Sequence, residues 1–106
     1  MNEETKKILE GATVNGKFLM YKERPLVREG NTIIYGNMDD EYVLSLIVMN
    51  EKEYKGENIP DKVIVQIIKT DPSLSDGEKI VKQDLKNGLY EALELGTIWL
   101  ERLLGN

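Results

Sequence analysis

Cysteine and histidine are both absent from this chain of 106 residues. Without histidine there is no Ser-His-Asp or Cys-His arrangement, and no side chain that is ordinarily a base near neutral pH. Without either residue, zinc, haem and iron–sulfur ligation in their common forms are excluded, as is a disulfide framework. A chain without cysteine fits a reducing compartment, so the expected localisation is cytoplasmic. There is no G-x-x-x-x-G-K-[ST] loop, and Gly30, Gly36 and Gly56 are too scattered for a dinucleotide fingerprint. No cofactor is expected, and enzymatic activity has no marked site.

Long apolar runs are missing too. The strongest, Tyr42 to Met49, is strand length and contains Ser45, well short of the roughly 20 residues that span a bilayer. Met1 to Glu10 is charged and has no apolar stretch of the kind a secretory leader needs, so none is expected. Basic residues are the minority, with 14 Lys and Arg against 19 Asp and Glu and a net charge of −5. That balance argues against a nucleic-acid partner, whose phosphates are bound by clustered Lys and Arg. At 41% hydrophobic and 31% charged, the chain reads as a single globular domain over residues 1–106.

What is present is a pattern of short strands and helices. Glu3 to Glu10 suggests a short N-terminal helix stopped by Gly11. Asn15-Gly16 punctuates the chain, and Lys17 to Lys22 alternates as a strand. Pro25, with no N–H for a ladder, marks a turn, bulge or edge. Leu26 to Arg28 and Thr32 to Tyr35 flank Glu29-Gly30-Asn31, a hairpin signal. Tyr42 to Met49 is apolar on both faces, so it belongs mid-sheet, covered on both sides or set at a partner interface. Residues 50–61 read as a loop or hairpin extension, and Val63 to Ile68 as a β-branched strand.

The last third, Asp76 to Leu104, reads as one long amphipathic helix opened by a capping box of Ser75 and Glu78. On a helical wheel Val81, Leu85, Leu89, Leu93, Trp99, Leu100 and Leu103 share one broad face. Strands linked by short turns must be antiparallel neighbours. The expected fold is therefore α+β: a four- or five-stranded antiparallel sheet, the long C-terminal helix packed on one face, and the short N-terminal helix.

Candidate functional residues are few. Asp39, Asp40 and Glu41 are the densest carboxylates, able to hold a divalent cation or simply to form a solvated turn. Lys17, Lys22, Arg24 and Arg28 could face an anion, but Glu23 and Glu29 interleave them. Tyr90 and Trp99 are candidates for lining a ligand pocket between helix and sheet, although Trp99 also falls on the apolar stripe. Gly88, Ala92 and Gly96 form a smooth ridge if the helix is continuous. Glycine inside a helix costs about 1 kcal/mol against alanine, so the ridge asks for a close neighbour. That neighbour is either the protein's own sheet, through groups such as Leu46 or Ile67, or a helix of a second subunit.

Two blocks carry a resemblance. Pro25-Leu26-Val27-Arg28 is followed by Gly30-Asn31-Thr32-Ile33-Ile34-Tyr35-Gly36-Asn37, and Gly88-Leu89-Tyr90-Glu91-Ala92-Leu93 by Gly96 and Ile98-Trp99-Leu100-Glu101-Arg102. Together they resemble a family of short uncharacterised proteins of clostridia-like bacteria. The resemblance implies a bacterial, cytoplasmic setting and transfers no site residue. The functional expectation is a non-enzymatic interaction or regulatory module that self-associates as a homodimer or binds another protein. The alternative is a small-molecule binding domain with its pocket near Tyr90 and Trp99, and a third is an enzyme built on residues such as Asp39 and Arg28.

Overall fold

The computed structural model describes residues 19–105. The expected N-terminal helix, Asn15-Gly16 and Lys17 lie outside these residues. The chain runs β1 (Leu19–Tyr21), β2 (Arg24–Glu29), β3 (Thr32–Tyr35), β4 (Tyr42–Val48), β5 (Glu51–Tyr54), β6 (Glu57–Pro60), β7 (Lys62–Lys69), α1 (Asp76–Lys79), β8 (Ile80–Asn87) and α2 (Leu89–Leu104). Six strands form one antiparallel sheet in the order β1-β2-β3-β4-β7-β8, while β5 and β6 pair only with each other. The α+β class and the C-terminal helix on one face are as the sequence implies. The main sheet has six strands, more than the four or five expected.

The turns follow from local chemistry. Gly30 sits at φ 60 between paired residues Glu29 and Thr32, the position a tight hairpin reserves for glycine. Residues 50–61 are the hairpin extension rather than a loop: Lys55 (φ 54) and Gly56 (φ 82) close the turn between β5 and β6. The turn from β1 to β2 is less expected. It is made by Lys22 and Glu23, at φ 48 and 69, two residues with side chains where Asn-Gly is the usual choice.

The long helix expected over Asp76 to Leu104 requires correction. The capping box is present, with Ser75 Oγ accepting from the Glu78 N–H at 3.4 Å and Glu78 accepting from the Ser75 N–H at 3.0 Å. It caps only the single turn of α1, after which Ile80–Asn87 extends along β7 as the sixth strand. Lys82, Gln83 and Lys86 are good helix formers, but pairing with β7 outweighs an intrinsic preference of only tenths of a kcal/mol per residue. Gly88, at φ 101, then breaks the chain's direction and donates its N–H to the Asp61 carbonyl at 2.7 Å. The helix proper starts at Leu89, and Gly105 in the left-handed region ends it.

The core lies between α2 and the sheet. Leu26, Ile33, Tyr35, Leu44, Leu46, Val63, Val65 and Ile67 come from β2, β3, β4 and β7, and Leu89, Ala92, Leu93 and Leu100 come from the helix. Each large aliphatic group buried here contributes roughly 1.5–3 kcal/mol. Gly96 sets the spacing. A Cβ on it would stand 2.7 Å from Leu44 Cδ2 and 3.1 Å from Leu44 Cγ, so helix and β4 are in contact closer than any side chain permits.

Candidate interaction surface

A strand's side chains alternate between the two faces of its sheet, and the pairing registers fix which residues share a face. On the helix side stand Leu44, Leu46 and Val48 of β4, opposite Ile67, Val65 and Val63 of β7. The other face takes the intervening residues. Val27, Ile34, Ser45, Gln66 and Gln83 form one row across five strands, and Glu29, Thr32, Ile47, Ile64 and Leu85 form the next. Val43, Ile68 and Ile80 make a third row. Among the described residues no helix lies on this second face, since α2 is committed to the first.

The helix-free face is apolar across most of its width. Ile34, Ile47, Ile64 and Ile68 are half-buried, Val43 and Ser45 are buried, and Leu85 is 53% exposed at the β8 margin. Val27 and Ile80 are exposed as well. The polar residues at its centre, Ser45, Gln66 and Gln83, are uncharged, and Gln66 Nε2 donates to Gln83 Oε1 at 3.1 Å, while Glu29, Thr32, Lys62 and Asn87 share the face toward one end. Antiparallel sheets commonly leave one face in water, and that face is then mostly polar. Here branched aliphatics run through its middle, and the charged residues that share it, Glu29 and Lys62, lie toward one end.

The ridge residues end up elsewhere. Ala92 and Gly96 are wholly buried against the protein's own sheet, and Gly88 is a turn residue outside the helix. Tyr90 and Trp99 are nine residues apart on α2, which is about 13.5 Å along the axis and half a turn around it. They therefore do not face one pocket. Trp99 packs at the margin of the core, and the Lys82 ammonium lies 4.5 Å above its ring. The groove of about 190 Å³ beside it is lined by Val81, Lys82, Arg102 and Leu103. Tyr90 is on the opposite side and 38% exposed.

A separate, polar cavity of about 660 Å³ opens near the C-terminal part of α2. Two of the anion candidates, Lys22 and Arg24, line it with Glu23, Asn37, Asp40 and Glu101, whereas Arg28 lies across the sheet beside the β5–β6 hairpin. Tyr35 anchors this end: its ring meets Tyr21 edge-on at 5.5 Å, and its hydroxyl donates to the Tyr21 carbonyl at 2.7 Å. Burial raises the Tyr35 phenol above its usual pKa, and nearby Glu101 adds to this, while Arg24 beside the hydroxyl opposes it. Asp39, Asp40 and Glu41 stay dispersed, and among the described residues no three carboxylates converge enough to hold a metal ion.

Sequence reasoning found the two-sided character of Tyr42–Met49 but not the extent of the face around it. The missing signal was β8, whose residues look helical until their pairing with β7 is known. Nothing in the sequence marks Glu23, Asn37 or Glu101 as site residues, because only the fold brings them together. Among the described residues, no helix is long and apolar enough to cross a membrane. No family model, curated protein or solved structure matches the chain.

Proposed function

We propose that this protein is a small non-enzymatic interaction module of the bacterial cytoplasm, and that it associates with a second copy of itself through the helix-free face of its sheet. The observation that carries the reading is the apolar face formed by Val27, Ile34, Ile47, Ile64 and Leu85 on the side opposite α2. Apolar surface, exposed on this face at Val27, Ile80 and Leu85, marks interaction sites in soluble proteins, and homodimer interfaces are the more apolar class. Strands about 4.8 Å apart and about six residues long make a six-stranded face of roughly 500–600 Å². Two such faces bury on the order of 1,000 Å², the lower range for a specific interface. The absence of histidine and cysteine adds weight to a binding rather than a catalytic role.

Native mass spectrometry at low micromolar concentration tests this directly. The wild-type chain is expected as a dimer, and the double variant Val27→Lys, Leu85→Lys as a monomer with unchanged far-UV circular dichroism. A wild-type chain that stays monomeric into the hundred-micromolar range would sink the reading.

A further inference from the structure

The apolar face gives no role to the polar cavity near the C-terminal part of α2. At about 660 Å³ it falls within the roughly 300–1,000 Å³ typical of small-molecule sites. Its lining is mixed in sign, with Lys22 and Arg24 against Glu23, Asp40 and Glu101, and with Asn37 able both to donate and to accept. Opposite charges sharing a concavity usually close on one another. Here they do not: the ion pairs among the described residues are Lys52–Asp61 and Lys86–Asp84, both elsewhere. Arg24 and Glu101 are each half-buried and line the same cavity without an ion pair between them.

The backbone supplies a second, independent observation. Lys22 and Glu23 hold φ of 48 and 69, a conformation that disfavours any residue with a side chain by roughly 1–2 kcal/mol. The Tyr35 hydroxyl holds the turn by donating to the Tyr21 carbonyl at 2.7 Å. Asn-Gly would make the same turn without strain, yet both strained residues carry charges that line the cavity. Strain retained at a cavity wall points to a use for the side chains there. A bare divalent cation is a poor fit, because the carboxylates do not converge.

We infer that this cavity binds a small zwitterion of the α-amino-acid class, its carboxylate on Arg24 and Lys22 and its ammonium on Asp40 and Glu101. The guanidinium suits a carboxylate because it can donate two parallel hydrogen bonds. Arg24 and Glu101 line the same cavity, so the two charges of one α-amino acid can meet opposite partners within it. The remaining volume accommodates a side chain.

The test is a ¹H–¹⁵N correlation titration of the full chain with each of the proteinogenic L-α-amino acids, singly, to millimolar concentration. At least one should give saturable shifts at the amides of Lys22, Glu23, Arg24, Asn37, Asp40 and Glu101. Affinity should fall at least ten-fold on Glu101→Gln and on Arg24→Gln, and likewise when the same amino acid is offered as its amide or its N-acetyl form. No saturable shift with any amino acid, or binding that survives both substitutions, overturns the proposal. Glu101→Gln keeps the test decisive should Arg24→Gln disturb the turn, and unchanged dispersion elsewhere reports that the fold is intact. Repeating the titration on the Val27→Lys, Leu85→Lys variant separates this site from self-association, since neither residue lines the cavity.

Discussion

Gly96 illustrates how one residue fixes the distance between two layers. It is wholly buried, and the space its missing Cβ would occupy is already filled by the Leu44 methyl groups. Adding a methyl there sets two effects against each other. Alanine gains about 1 kcal/mol of helix propensity, while overpacking a tight core costs roughly 1–3 kcal/mol. Leu44 is itself fully enclosed and has little room to turn aside, so overpacking wins. Gly96→Ala is expected to lower unfolding free energy by about 1–2 kcal/mol in urea titrations. Leu44→Ala in the same chain should recover part of that loss in a double-mutant cycle. A more stable Gly96→Ala protein would mean that the helix stands further from β4 than the geometry indicates.

At the level of elements, the β1–β2 turn holds two residues with side chains at positive φ, Lys22 and Glu23, and the β5–β6 turn one, Lys55. The β2–β3 turn uses Gly30, and the β5–β6 turn uses Gly56 after Lys55. The β1–β2 turn has no glycine at all. Replacing Lys22-Glu23 by Asn-Gly is expected to stabilise the fold by about 1–2 kcal/mol, because both positions then adopt positive φ freely. For a domain of this size each kcal/mol corresponds to a rise of roughly 4–8 °C in Tm. Calorimetry reads that gain. An unchanged Tm would show that the present turn carries no strain. The residues after Ser75 show the opposite case, where a local signal is satisfied but reaches only one turn. The capping box organises α1 and leaves Ile80 onward free to follow β7.

At the scale of the whole sheet, the long helix among the described residues covers one side of the six strands. Helix α2 lies across β4, β7 and β8 on a single face. The opposite face keeps its aliphatic side chains and is the surface proposed for self-association. Net charge bears on that proposal with a definite sign. Each copy carries −5, so two copies repel at long range while the apolar contact attracts at short range. Screening shortens from about 30 Å at 0.01 M salt to about 8 Å at 0.15 M. Raising salt across that range should tighten the dimer several-fold, as read by analytical ultracentrifugation. A dimer that weakens with salt would instead be held by ion pairs, and the apolar face would not be its interface.

The sequence by itself determined the class, the strand read at Tyr42–Met49 with apolar groups on both sides, the hairpin around Gly30, the capping box and the helix that carries Leu89, Leu93 and Leu100. Each of these rests on local periodicity or on a residue with a conformational preference of its own. Only tertiary structure decided the fate of Ile80–Asn87. Its apolar residues fit a helical stripe as well as a strand, and the choice came from hydrogen bonds to β7, a partner that begins 18 residues earlier in the chain. The same long-range pairing moved Gly88 from a helical ridge to a turn and turned Ala92 and Gly96 inward, Gly96 against Leu44. Likewise, the polar cavity joins the β1–β2 turn, the residues before β4 and the end of α2. Charges so far apart in sequence share a cavity only once the core has closed, so no local pattern could announce them.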